Sequence, residues 1–368
     1  MKQITVNTQP SYPLYFGDFF ASNELAQLCE KQAYQVAIIT DNNVETLYAS
    51  HLKEYFNAHH IKTHTISFPA GEASKTQTTK QTLENQLLQL GCGRDTCIIA
   101  LGGGVVTDLA GFIAATYCRG VPAIYLPTTL LGIIDASIGG KTGVNTAYGK
   151  NTIGTFTQPK AVFIHAQLLE TLPDDEYLAA FSEIIKHALI SDADYFEFLY
   201  THAETLKAKN LDALDYVIKE SFRIKASIVE KDEREQGIRK TLNFGHTMAH
   251  AIETVCHYAI SHGQAVAIGI LVESYLSYKL GLLSEEAFSN IQSCLSLYET
   301  TVKTKVKLAK DALKQALMMD KKTRRSEPHF VLLRNIGEVH CASGKYASSV
   351  DDQTLDQAID YLLDQCSE

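Results

Sequence analysis

The sequence predicts an α/β protein in two parts: an N-terminal, doubly wound domain with a parallel sheet over residues 1–165, and a C-terminal, mainly helical domain over residues 166–368. Three observations predict it. Up to about residue 165, short β-branched apolar runs alternate with helical patterns, as strands covered on both faces and their crossover helices do. Beyond that point glycine and β-branched runs thin out, and long amphipathic patterns take over. The chain has 368 residues, enough for two separate cores.

Each element has its own warrant. QVAIITD (35–41), TCIIALGGG (96–104), AIYLPTT (123–129) and AVFIH (161–165) are runs ended by turn or polar residues, the pattern of buried parallel strands. The stretch 75–90, KTQTTKQTLENQLLQL, sets Leu83, Leu87 and Leu90 at helical spacing. LGGGVVTD leads from a strand into the helical pattern TDLAGFIAAT. In the second half DDEYLAAFSEIIKHALI, DYVIKESFRIKASIVEK, GHTMAHAIETV and GQAVAIGILVESYLSYKL read as helices, and HFVLLRNIGEVH (329–340) as a short hairpin.

Bulk properties exclude several functions. A net charge of −9 argues against sequence-independent binding of nucleic acid, which needs a basic surface. No stretch approaches the roughly 18 apolar residues of a membrane span, and the N-terminal residues lack a signal-type apolar core. Eight cysteines without a CxxC pair read as reduced thiols, which predicts a cytoplasmic setting.

The glycines of LGGGVVTD let backbone amides approach a phosphate at a helix N-terminus, although Thr107 stands where the third glycine of a GxGxxG fingerprint would fall. A tight structural turn explains them equally well. Asp41, at a strand end, is placed to accept hydrogen bonds from ribose hydroxyls. More specific is PTTLLGIIDASIGGKTGVNTAYGKN (127–151), where Lys141, Lys150 and Asn151 lie among five glycines after Thr128, Thr129 and Asp135. Lysines in glycine-rich backbone, with Arg119 upstream, suit an anionic ligand.

LNFGHTMAH (242–250) sets His246 and His250 four residues apart, on one helix face. Thr247 occupies the glutamate position of HExxH, which argues against a metalloprotease. A catalytic zinc needs three protein ligands and an open position. His262, in a loop-like stretch before Gly263, and Glu183, interrupting the apolar pattern of LAAFSEIIKH, are candidates. Spacing alone does not choose between His246 and His250. Most charges of SFRIKASIVEKDEREQGIRKTLN suit a solvated helix face; Lys225 and Arg239 stand out because they flank LNFGH.

Taken together, GGGVVTDLAGFIAATYCRG, PTTLLGIIDASIGGKTGVN, GKNTIG, SEIIKHALI, RKTLNFGHTMAHAIE and SHGQAVAIG resemble 3-dehydroquinate synthase, of the sugar-phosphate cyclase superfamily. The likeness runs from about residue 35 to 340, with the six blocks in the family's order. It implies a dehydroquinate synthase-like fold, a Rossmann-like first domain that binds NAD, and a helical second domain holding one divalent metal per subunit, zinc or cobalt, in a homodimer. It also implies a small sugar-phosphate substrate. In the implied reaction, 3-deoxy-D-arabino-heptulosonate 7-phosphate gives 3-dehydroquinate and phosphate through transient oxidation, elimination, re-reduction and aldol closure.

The resemblance implies metal ligands at Glu183, His246 and His262, which leaves His250 to the substrate. It implies NAD contacts at Asp41, Glu72, Lys75, Gly103, Gly104, Val105, Asp108, Thr128, Thr129, Lys141, Lys150 and Thr171. Substrate contacts are implied at Asp135, Lys141, Asn151, Lys186, Lys225, Arg239, Asn243 and His250, with Lys321 or Lys322 beside them and Arg119 reaching a neighbouring subunit's site. The chain departs from the family's usual residues at Gln264 (glutamate), Ala249 (glycine) and Ala136 (serine). Gln264 carries no charge, which speaks against an acid–base role there. The rival readings are another sugar-phosphate cyclase, a metal-dependent polyol dehydrogenase of the same architecture, and a catalytically dead binding protein.

Overall fold

A computed structural model describes residues 1–299, 308–319 and 327–365. The chain divides into two compact units, Met1–Leu172 and Pro173–Glu368. In the first, seven strands form one sheet: β1 (Lys2–Val6), β2 (Tyr12–Phe16), β3 (Gln35–Asp41), β4 (Lys62–Phe68), β5 (Thr96–Gly102), β6 (Ala123–Pro127) and, after a separate hairpin, β9 (Ala161–Ile164). Their order is β1-β2-β9-β6-β5-β3-β4. Only β1 and β2 pair antiparallel; every other pairing is parallel.

The α/β prediction holds, and the four apolar runs are β3, β5, β6 and β9. Strands β5, β6 and β9 are buried along their whole length, so no alternating pattern is needed to recognise them. Sequence reasoning passed over β1, β2 and β4. KTHTISF mixes polar and apolar residues because β4 closes one end of the sheet and is only partly covered.

The stretch 127–151, read as lysines among glycines suited to an anion, runs into an antiparallel hairpin. It joins β7 (Lys141–Thr146) to β8 (Gly149–Phe156), with Lys141 opposite Phe156 and Thr146 opposite Gly149. Gly143 and Gly154 face each other there. A β-carbon on Gly154 would lie 1.9 Å from the Thr142 carbonyl oxygen, so these two glycines are explained by strand packing.

The second unit is helical, as predicted. Its main helices span Phe181–Ser191, Leu211–Lys231, His246–Val255, His262–Lys279 and Glu285–Leu297. The 329–340 reading is also met: Leu333–Asn335 and Glu338–Val339 pair as a short antiparallel hairpin. A core of Met248, Ile252, Val272, Leu276, Leu313, Leu317 and Ile359 links the two histidine-bearing helices to the C-terminal helix. Among the described residues no helix is long and apolar enough to cross a membrane, and the described cysteines form no disulfide.

Candidate functional site

Three side chains in the second unit converge. Glu183 lies in the first turn of Phe181–Ser191, His246 opens His246–Val255, and His262 opens His262–Lys279. One ligand atom from each lies within 4.8 Å of the others. Glu183 Oε1 is 3.3 Å from His246 Nε2 and 3.6 Å from His262 Nε2. That oxygen is buried, and no donor meets it in hydrogen-bonding geometry. Bonds of about 2.0–2.2 Å to a tetrahedral zinc put neighbouring ligand atoms about 3.3–3.6 Å apart. The donor set and its spacing therefore fit such a cation.

The approach depends on missing side chains. A β-carbon on Gly269 would lie 1.8 Å from the Gly245 carbonyl oxygen, so the two histidine helices cross this closely only with glycine there. Gly263 does the same against Ala179, whose carbonyl oxygen would be 2.1 Å from an added β-carbon. Gly245 itself has φ +82° and ends the preceding turn. His262 is not in a loop, as its surroundings suggested. Ser261 accepts from the Gln264 backbone amide while the Gln264 side chain returns to the Ser261 amide, a capping box that starts the helix one residue before His262.

The electrostatics distinguish the two imidazoles. Burial pushes His246 down to about 4, although Glu183 opposes this, so the ring is neutral. Burial acts downward on His262 as well, but the neighbouring carboxylates of Glu183 and Glu253 lift it to about 9. Burial would raise Glu183; Lys186, one turn on and ion-paired with it, and then His246 hold it well below the ordinary carboxylate range.

Other candidates of this unit surround the same helices. His250 stands edge-on to His246, with ring centroids 5.8 Å apart. Lys225 is buried on Leu211–Lys231. Arg239 is buried too, and its guanidinium donates to the Glu233 carbonyl. Asn243 donates to the Glu235 side chain. The turn carrying Arg239 is shaped by Asp232, whose carboxylate accepts from the amides of Gln236, Gly237 and Arg239 at 2.6–3.0 Å. Sequence reasoning passed over Asp232, and the Asp-x-x-x-x-Gly spacing was its only trace. It also passed over Glu253 and over Glu273, which accepts from the Gly245 amide at 2.9 Å. Lys321 and Lys322 lie outside the described residues.

In the first unit, Asp41, Gly102 and Pro127 end the parallel strands β3, β5 and β6, the edge where open α/β sheets bind ligands. The glycine run turns there: Gly103 caps the helix Gly104–Thr116, which also carries Val105 and Asp108. A β-carbon on Gly102 would strike Val106 at 2.5 Å and one on Gly103 would meet Thr129 at 2.9 Å, so close packing alone accounts for both. Asp41 Oδ1 accepts from the amides of Asn43 and Val44. Lys75 donates to Asp108 at 2.5 Å, and Glu72 accepts from Asn145 at 2.7 Å. Thr128 is buried beside Gly102, Thr129 accepts from the Gly132 amide, and Thr171 meets the Tyr48 hydroxyl. Asp135 lies in a π-helical turn, Gly132–Ala136. Lys141, Lys150 and Asn151 lie on the β7–β8 hairpin, with Asn151 at φ +50° and its amide donating to Asn145. Arg119 is exposed, with φ +69°.

Comparison with known proteins matches both units. The family described as 3-dehydroquinate synthase N-terminal covers residues 65–179, and 3-dehydroquinate synthase C-terminal covers 180–323. The 3-dehydroquinate synthase of Nitrosomonas europaea is 40% identical over 340 residues, 91% of this chain and 92% of that one. The chain belongs to the 3-dehydroquinate synthase family. Among solved structures, a 2-deoxy-scyllo-inosose synthase complexed with carbaglucose-6-phosphate, NAD+ and Co2+ matches with a TM-score of 0.89 at 26% identity, covering 97% of this chain and 98% of that one. The 2-epi-5-epi-valiolone synthase of Streptomyces hygroscopicus subsp. jinggangensis, with NAD+ and Zn2+ bound, matches with a TM-score of 0.88 at 28% identity, covering 99% and 98%. Both cyclases are less similar in sequence than the Nitrosomonas member of the 3-dehydroquinate synthase family.

Proposed function

We propose that this chain catalyses the reaction of its family, converting 3-deoxy-D-arabino-heptulosonate 7-phosphate into 3-dehydroquinate and inorganic phosphate, a step of the shikimate pathway to chorismate and the aromatic amino acids. The observation that carries the reading is the convergence of Glu183, His246 and His262, in a chain 40% identical to a 3-dehydroquinate synthase along nine-tenths of its length. We assign one divalent cation, zinc or cobalt, to those three residues. NAD is assigned to the strand-end residues of the first unit, with Lys75, Asp108 and Glu72 forming its polar wall. When bound, the cation supplies Lewis acidity at a substrate hydroxyl, and NAD supplies a hydride acceptor that is regenerated within each turnover.

The chain's own residues supply position and charge. Lys225 and Arg239 are buried cations on a helix and a tight turn, suited to fixing a carboxylate or phosphate without reorganisation. Lys186, paired with Glu183, presents a further ammonium group beside the proposed metal ligands. Asn243 and His250 bracket His246 in sequence and offer hydrogen bonds to the substrate's hydroxyls, and His250 is suited to carrying a proton there. Lys141, Lys150 and Asn151 present two cations and an amide from the β7–β8 hairpin, and Asp135 an acceptor. We assign the enzyme to the cytoplasm and to a homodimer in which Arg119 completes the partner's substrate site. Mixed dimers of Arg119→Ala and His246→Ala subunits then regain part of the activity that each homodimer lacks.

The test is phosphate release from the heptulosonate phosphate with NAD in catalytic amounts, before and after chelation. Many turnovers per NAD, abolished by chelator and restored by zinc or cobalt, are expected. Stoichiometric NADH formation would instead identify a polyol dehydrogenase, and turnover of a different sugar phosphate would identify one of the other cyclases.

A further inference from the structure

We propose that Glu253 is the positioning residue of the metal site, fixing the tautomer of His262 and setting the affinity for the cation. The inference rests on the metal assignment above. Both proposed imidazole ligands direct Nε2 at Glu183 Oε1, so in each ring Nδ1 must carry the proton and needs an acceptor behind it. For His246 that acceptor is a neutral backbone carbonyl, Phe244 O, at 3.2 Å. For His262 it is a carboxylate, Glu253 Oε1, at 3.2 Å.

The location of Glu253 argues against a purely structural role. The side chain is 1% exposed. It sits two residues from the C-terminus of His246–Val255, where the helix dipole disfavours a negative charge. Burial of a carboxylate costs more unless it is hydrogen-bonded or paired. A carboxylate in the least favourable turn of its own helix is explained by the ring it faces. It follows His246 and His250 at i+7 and i+3, so the three side chains share one helix face, and His262 is brought to that face from the neighbouring helix.

The two orienting acceptors do different work. A carbonyl fixes the ring, whereas a carboxylate also makes Nε2 more basic and adds a second negative charge beside a dication. The carboxylates of Glu183 and Glu253 both face the imidazoles, the first of them ion-paired with Lys186. Gln264, at the position where a glutamate was expected, is turned to Ser261 and supplies none of this charge.

The experiment is a zinc titration of the purified full-length protein against a chromogenic chelator, on wild type, Glu253→Gln and Glu253→Ala. Glu253→Gln keeps an acceptor of the same shape without the charge, and about tenfold weaker zinc binding is expected. Glu253→Ala removes the acceptor, and about a hundredfold loss is expected. The cobalt form of Glu253→Ala should also show shifted visible bands. Circular dichroism and the thermal midpoint of the metal-free proteins report folding separately; should Glu253→Ala not fold, Glu253→Gln decides alone. Wild-type affinity retained within twofold in Glu253→Gln and in any folded Glu253→Ala overturns the proposal and leaves the metal assignment standing. A wild type that binds no zinc overturns the assignment itself.

Discussion

The Glu183–His246–His262 cluster and the β7–β8 hairpin are both proposed to meet the substrate or its cofactors, yet they are built in opposite ways. The cluster is fixed by helix crossings that admit nothing larger than glycine, with Glu183 buried and the two imidazoles partly buried. The hairpin is fixed by its backbone ladder, while Lys141 and Asn151 point outward from it and are exposed. A site held between closely packed helices can be assembled before its ligand arrives, because packing restrains its side chains. Ordering an exposed lysine on an anion costs up to about 1.5–2 kcal/mol of side-chain entropy. The metal end should therefore respond to substitution in an all-or-none way, and the hairpin end in a graded one.

The sharpest way to break that contrast is at a ligand. His262→Ala should lose bound zinc and at least about a thousandfold in turnover while remaining folded, since removing one of three ligands leaves a site that cannot hold the ion. Metal content and phosphate release check it. A mutant that turns over normally without metal removes the basis of the comparison.

Next in size is the crossing itself. Gly269→Ala places a β-carbon 1.8 Å from the Gly245 carbonyl oxygen. The helices must separate, at about 1–3 kcal/mol or more, and His246 and His262 separate with them. A lower urea midpoint together with weaker zinc retention is expected. A loss of stability with unaltered zinc affinity would mean that the ligands do not depend on this packing.

The graded response is tested at Asn145, which donates to Glu72 and accepts from the Asn151 amide. Asn145→Ala releases the hairpin from Glu72 and removes a hydrogen bond between its own two strands. The expected effect is a KM for substrate or NAD raised about tenfold, with unfolding free energy changed by about 1 kcal/mol, the scale of a partly exposed hydrogen bond. Turnover abolished as completely as by His262→Ala would erase the difference between the two regions.

The same division runs through what could be read from the sequence. Buried strands such as β5 and β6 were legible because their neighbours are all apolar, and residue type alone marks that. The i, i+4 spacing of His246 and His250 was legible as a helix face, but it could not say which ring turns to Glu183; a resemblance carried that choice. The partners of the ligands were not legible. Glu253 reads as one more charge on an amphipathic helix until His262 is brought beside it from another helix. Asp232 lay in a run of seven charged residues among ten that looked like solvated surface. The edge strands β1 and β4 were missed because half-covered strands admit polar residues. The glycines of the 127–151 stretch were assigned to a ligand, whereas at Gly143 the cause is the opposite strand.

Gln264 gives the smallest expected effect and the most direct check on where the site ends. Its side-chain Oε1 is 3.3 Å from the Ser261 amide and 3.1 Å from the Ser261 hydroxyl, and Ser261 Oγ in turn accepts from the Gln264 backbone amide. A glutamate at this third helical position closes the same box and adds a favourable charge to the first turn, worth about 0.3–1 kcal/mol. Gln264→Glu should thus raise the thermal midpoint slightly and leave kcat within about threefold. Gln264→Ala opens the box, and the helix that begins with His262 loses about 1 kcal/mol. The two substitutions separate the roles, because one keeps the cap and changes the charge while the other removes the cap. A tenfold change in kcat on Gln264→Glu, at unchanged stability, would show that the side chain takes part in proton transfer, and the boundary of the catalytic machinery would have to move one turn further along this helix.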